Sequence, residues 1–165
     1  MAATVRDLYE YRWSALNIDA KLLHRFATNH NWDEGPDLLV RCVLHPLCSL
    51  ATALLIYWLG KPHYFRQYPK RSAVPDFERP DYDLLTAIER RVETGEYEHA
   101  GLTFDPRRHA KTDWTTGTFA YPELVMKRAL PAHMLIAVTK NGAVPFEIEE
   151  PRVVARKSAT KRRRA

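Results

Sequence analysis

The chain is poor in the residues that build staples and reaction centres. Its two cysteines, Cys42 and Cys48, are too few for a disulfide framework in 165 residues, and in a reducing compartment both are expected as free thiols. No glycine-rich run that would cradle a phosphate is present, and Gly95 and Gly117 stand alone as turn residues. A His-Glu-x-x-His helix and a Gly-x-Ser-x-Gly elbow are also missing, which removes two common hydrolase signatures. No apolar run reaches the roughly eighteen residues of a membrane span. The longest, Leu50 to Leu59 with Thr52 inside it, suits a buried helix instead. Residues Met1 to Asp7 lack the basic and apolar regions of a signal peptide, so a cytoplasmic location is expected. No internal repeat is visible, and alternating strand and helix units are absent, which argues against a parallel α/β sheet.

Charge is unevenly distributed. Arg152, Arg156, Lys157, Lys161, Arg162, Arg163 and Arg164 place seven positive charges and no acid in the last fourteen residues, leaving 18 basic against 20 acidic residues in 1–151. The sequence pI of 9.3 is therefore a property of the tail, and the body is close to neutral. A segment so rich in Ala, Ser, Thr, Lys and Arg has little apolar surface to offset ordering entropy, so residues 152–165 are expected to be a disordered basic tail. Residues 1–151 are long enough to bury about 70% of their unfolded surface, and one globular helical domain is expected. The tail reads as a solubilising extension or as a phosphate-seeking arm, with Arg156, Lys157, Lys161, Arg162, Arg163 and Arg164 as candidate nucleic-acid contacts. It has no aromatics to stack on bases.

Apolar residues recur at helical spacing through the first ninety-odd positions. Thr4 can cap a helix carrying Val5, Leu8, Tyr9, Arg12, Trp13 and Leu16, with Asn17 as its stop. Asp19 caps a second with Leu22, Leu23, Phe26 and Ala27 inward, and His24, Arg25 and Thr28 outward, ending near His30. Asp33 is expected to accept orphan amides at the start of a third, where Pro36 needs no donor. That helix carries Leu38, Leu39, Cys42 and Val43 on its apolar stripe and stops at His45, the residue before Pro46. Ser49 caps a fourth, with Leu50, Ala53, Leu54, Tyr57 and Trp58 inward and Gly60 and Pro62 at its end. Being apolar nearly all round, it is expected at the centre. Residues 61–79 show no period and read as a surface loop. A fifth helix starts at Pro80 or Asp81, faces Leu84, Leu85, Ile88 and Val92 inward and ends before Gly95. Beyond it the chain is irregular, with a short helix expected over Pro122 to Leu130. A hairpin is expected from Met134-Leu135-Ile136-Ala137-Val138 through Asn141-Gly142 to Ala143–Ile148, its second strand weakened by Pro145. The fold class is mainly α: a compact antiparallel bundle of about five helices with an irregular C-terminal third and a small β-hairpin.

The most distinctive residues are Asn31-Trp32-Asp33-Glu34-Gly35, His45-Pro46-Leu47-Cys48 and Thr52-Ala53-Leu54-Leu55-Ile56-Tyr57-Trp58. With Gly95-Glu96-Tyr97, Phe104-Asp105-Pro106 and Leu130-Pro131-Ala132-His133-Met134 they make the chain, from Leu22 to Met134, resemble the bacterial domain-of-unknown-function 4274 family. Ser49 and Ala51 depart from it, standing where the family tends to carry an acid and a glycine. The resemblance implies a small bacterial helical protein and brings no activity with it.

Within this block, Cys42, His45 and Cys48 have a Cys-x2-His-x2-Cys spacing to which His24 or His30 would add a fourth zinc ligand. Only Cys42 and His45 share a helical face, however, and Cys42 lies in an apolar stripe where free cysteine is ordinarily a small core residue. Nucleophilic chemistry would need Cys48 activated by His45 and oriented by Asp33. The plainer reading makes His45 and Cys48 shapers of an interhelical turn, and Asp33, beside Glu34, a cap rather than an acid/base group. Trp32, Tyr57 and Trp58 have the composition of a cation-binding cage but the spacing of a core. Asn31, Gly35 and Pro46 complete the signature as structural residues. The favoured expectation is a non-enzymatic protein-binding module of a bacterial cell with a protein partner and no cofactor, by analogy with immunity or accessory proteins of toxin systems. The alternatives are a nucleic-acid-associated protein acting through the tail, and a hydrolase or transferase centred on Asp33, His45 and Cys48.

Overall fold

The computed structural model describes residues 3–10, 13–116 and 125–148. The architecture is mainly α. Helices α1 (Val5–Glu10), α2 (Ala20–Asn29), α3 (Asp37–Leu44), α4 (Leu50–Leu59), α5 (Pro62–Phe65) and α6 (Arg79–Glu93) precede a hairpin of β1 (Ile136–Thr139) and β2 (Gly142–Pro145).

The helix ends follow from local chemistry. The Thr4 amide donates to Asp7 Oδ2 at 2.6 Å while Thr4 Oγ1 faces the Asp7 amide, a reciprocal cap. Asp19 Oδ1 accepts from the Leu22 amide at 2.7 Å, and Ser49 Oγ from the Thr52 amide at 3.2 Å. His45 leaves the helical region with ψ of 134°, as a residue before proline must. Gly95, at φ +69°, adopts the left-handed conformation that closes α6.

Helix α4 is the axis of the molecule. Every residue from Ala51 to Trp58 is buried, and α2, α3, α5, α6 and β1 all pack against it. The core built on it gathers Leu8, Leu23, Phe26, Leu39, Leu84, Ile88 and Met134, among others. The Glu98 carbonyl accepts the Leu50 amide at 2.8 Å, and Phe104 pairs with Val138, which ties the C-terminal third to the bundle. Strands β1 and β2 are antiparallel, with Ile136 opposite Pro145 and Thr139 opposite Gly142. Pro145 thus sits at the end of an edge strand, where its missing donor is tolerated. Among the described residues no helix is long and apolar enough to cross a membrane.

Several expectations are corrected. The first helix does not run to Leu16: α1 ends at Glu10, and Trp13–Ala15 form a 3-10 turn whose Trp13 indole donates to the Leu8 carbonyl at 2.8 Å. Residues 61–79 are not a plain loop but α5 followed by 3-10 turns at Arg71–Ala73 and Asp76–Glu78, leading directly into α6. Residues 125–130 carry no helix, and Met134 belongs to a 3-10 turn ahead of β1. Arg12, Gly117, Pro122 and the basic tail lie outside the described residues.

Candidate functional site

The sequence-predicted reactive groups do not converge on one another. Asn31, not Asp33, caps the Trp32–Glu34 turn, its side chain accepting from the Asp33 amide at 3.1 Å. The Asp33 carboxylate is exposed and caps nothing; α3 starts after Pro36 without a side-chain cap. His45 Nδ1 accepts from the Leu47 amide at 3.1 Å and thereby closes the α3–α4 corner. Cys48 is buried, its thiol donating to the Ser49 carbonyl, and Cys42 donates to the Leu23 carbonyl. The neighbouring Cys48 thiol, followed by burial, pushes the Cys42 thiol well above the usual range, the opposite of an activated nucleophile. Among the described residues no side-chain hydrogen bond joins Asp33, His45 and Cys48; the Cys48 amide donates to the His45 carbonyl at 2.9 Å, a contact of the backbone alone. Among the described residues no three His, Cys, Asp or Glu side chains are grouped to hold an ion. The proposed fourth ligands are likewise engaged: His30 bonds the Tyr9 hydroxyl and the Gly35 carbonyl, and His24 bonds Thr52.

Of the aromatic trio, Tyr57 and Trp58 are core and Trp32 is not. Trp32 is half-buried and lines an open cleft of about 520 Å³ whose wall also holds Tyr64, Phe65, Trp114, Lys61, Glu78 and Asp81. Trp32 reaches it because position 60 has no side chain. A Cβ on Gly60 would lie 3.1 Å from Trp32 Cη2 and 2.7 Å from Leu85 Cδ2. Gly60 therefore stands where backbone and indole must touch. At the cleft's mouth Lys61 takes φ +57°, a left-handed conformation uncommon for a side-chain-bearing residue and frequent at ligand sites.

The acidic side of the cleft is graded. Glu78 accepts from the Tyr64 hydroxyl at 2.7 Å and the Tyr68 hydroxyl at 3.1 Å. Burial, then the Tyr68 and Glu78 contacts, raises the Tyr64 pKa, so the phenol keeps its proton. Asp81 has no hydrogen-bond or ion partner among the described residues. Burial and the Glu78 charge beside it push its carboxyl above the usual range. A carboxylate in that setting gains from any cation that reaches it.

Buried polar contacts hold this wall in place. Arg66 pairs with Glu89 of α6, and Tyr57 donates to Glu89 at 2.9 Å while accepting from Arg66 at 3.2 Å. Burial ahead of the Glu89 charge raises the Tyr57 pKa, keeping the hydroxyl a donor. On the outer side Arg128 donates to the Tyr68 carbonyl at 2.9 Å, and the Lys127 amide donates to the Arg66 carbonyl at 2.8 Å. The α5 segment is thereby fixed between α4, α6 and residues 127–128. Sequence reasoning missed Lys61, Tyr64 and Glu78, because their stretch has no periodic pattern, and read Asp81 only as a helix start.

No curated protein and no solved structure matches the chain. Residues 19–92 match the model of a family described as "Domain of unknown function (DUF4274)", a shorter stretch than the Leu22 to Met134 resemblance read from the residues. All the cleft-lining residues except Trp114 fall inside it. That similarity runs from the cap of α2 almost to the end of α6, just under half of the chain, and takes in most of the Trp32 cleft.

Proposed function

We propose that the protein is a non-enzymatic binding module that holds a partner protein by a lysine or arginine side chain inserted into the Trp32 cleft. The observation that carries this is the pairing of aromatic walls with Asp81, a half-buried carboxylate with no ion pair among the described residues. Aromatic faces attract a cation through their quadrupole, and a poorly solvated carboxylate supplies the charge. His45 and Cys48 are engaged in separate bonds and the Asp33 carboxylate is exposed to solvent, an arrangement that favours binding over chemistry. NMR titration of the full chain with short lysine-rich peptides tests it. The Trp32 and Trp114 indole signals are expected to shift saturably, and Asp81→Asn to weaken binding about tenfold, the ~1.4 kcal/mol scale of a hydrogen bond to a charged group. Equal response to acidic peptides, or unchanged affinity in Asp81→Asn, would refute the reading. An immunity or accessory role beside a toxin is one setting for such a module, and stoichiometric co-purification with the product of an adjacent gene would test it.

A second reading rests on the seven positive charges of residues 152–165. A tail of that charge binds nucleic acid through counterion release, with affinity that falls steeply with salt. Truncation after residue 151 should abolish such binding; retention would remove the tail as its cause.

A further inference from the structure

A second cleft, of about 370 Å³, opens between α2, residues 103–109 and the tip of the hairpin. Its chemistry is opposite to the first. His24, Arg108, His109 and Lys140 line it, with the Thr103 and Thr139 side chains. The carboxylate on its wall, Asp105, is held by both ends of the Arg107 guanidinium at 2.9 Å, which draws its pKa down and offsets its charge. Arg108 and Lys140 have no ion pair among the described residues, and although Arg108 adds to the lowering of the Asp105 pKa, positive charge outweighs negative on the cleft wall.

The imidazoles are placed rather than loose. His24 Nδ1 lies 3.0 Å from Thr52 Oγ1, which in turn lies 2.9 Å from Ser49 Oγ at the N-terminus of α4. That chain fixes the ring and leaves Nε2 as its unengaged nitrogen. His109 packs on Phe104 with centroids 5.3 Å apart, and its ring nitrogens have no hydrogen-bond partner among the described residues. The two residues after it, Ala110 and Lys111, have φ of 52° and 62°, a left-handed pair without glycine. Burial keeps both imidazoles below their ordinary pKa, and for His24 the neighbouring His109 adds to the effect. A metal would want the imidazoles, but among the described residues no third ligand is grouped with them, and Arg108 and Lys140 would repel it.

We propose that this cleft binds a phosphate monoester, its oxygens taken by Arg108, Lys140, His24 Nε2 and His109, and its small organic group lying along Thr103 and Thr139. A phosphoryl group has enough oxygens to accept from all four donors at once, and the cleft volume exceeds what a bare ion fills. The proposal is independent of the Trp32 cleft. Ribose 5-phosphate, ribose and sulfate, titrated into the full chain with the imidazole signals followed by NMR, provide the test. Ribose 5-phosphate should shift His24 and His109 saturably toward their protonated positions, and ribose should bind at least tenfold more weakly. The Arg108→Gln/Lys140→Gln double variant, altered at exposed positions, should lose at least tenfold in affinity with an unchanged amide spectrum. Non-saturating shifts, shifts confined to residues 152–165, equal binding of ribose, or unchanged affinity in the double variant would each overturn it.

Discussion

Replacing Glu89 by Gln removes one charge from a group that the fold has nearly closed off. The Arg66 and Glu89 side chains are 6% and 16% exposed, and both bond the Tyr57 hydroxyl. Breaking a buried pair from one side is destabilising by about 3–5 kcal/mol because the remaining charge is stranded. Glu89 keeps some solvent, and glutamine still offers Tyr57 an oxygen, so about 2–4 kcal/mol is the expected loss for Glu89→Gln. At this chain length each kcal/mol moves the melting temperature by roughly 2–4 °C, so a fall of about 5–15 °C is expected by circular dichroism or calorimetry. The double variant Arg66→Met/Glu89→Met leaves no stranded charge and should melt within about 3 °C of the wild type, since buried pairs are commonly neutral against apolar replacements. A single variant as stable as the wild type, or a double variant as unstable as the single, would show that the pair is not carrying the α5 segment.

Gly60→Ala should lower stability by about 1 kcal/mol, the low end for overpacking, because Leu85 and Trp32 meet the new methyl with side-chain ends. It should also displace Trp32, which its indole signal will report; a more stable protein with an unmoved indole would contradict the close approach. Cys42 and Cys48 should resist a thiol reagent in the native state and react on unfolding, since both are buried and Cys42 is held protonated. Fast native labelling of either would overturn that. Stability should fall as pH drops below about 6.5, the ordinary histidine value, because burial lowers the pKa of His24, His63 and His109 in the folded state. The unfolded chain then binds protons that the native state refuses, so the contribution is complete above that pH and lost on descending towards the folded values. A melting temperature flat between pH 7.5 and 5.5 would refute it.

Much of the helical scaffold was legible because its signals are local. Asp19, Ser49 and Gly95 mark the ends of α2, α4 and α6, each through a cap or a positive φ that involves only its own neighbours. The uniform apolarity of Leu50 to Leu59 likewise located the central helix. The cleft was not legible, because Trp32, Lys61, Glu78, Asp81 and Trp114 meet only after α4 and α6 pack, and a side chain's exposure in such a place has no periodic trace. The 61–79 stretch was misread because turns of three or four residues are too short to repeat. Asp33 was misassigned for a different reason: it lies inside the Trp32–Glu34 turn that Asn31 caps, and α3 starts only after Pro36, without a side-chain cap.

Because neighbours cover α4 on every side, its amide hydrogens between Ala53 and Trp58 have no route to solvent through fraying or local opening. Deuterium should enter them only when the entire molecule unfolds, so their exchange reads out global stability directly. The one-turn α5 beside it, anchored by side chains rather than by its own length, should exchange far sooner. The wall of the Trp32 cleft can thus open when its side-chain anchors release, while the axis behind it stays intact.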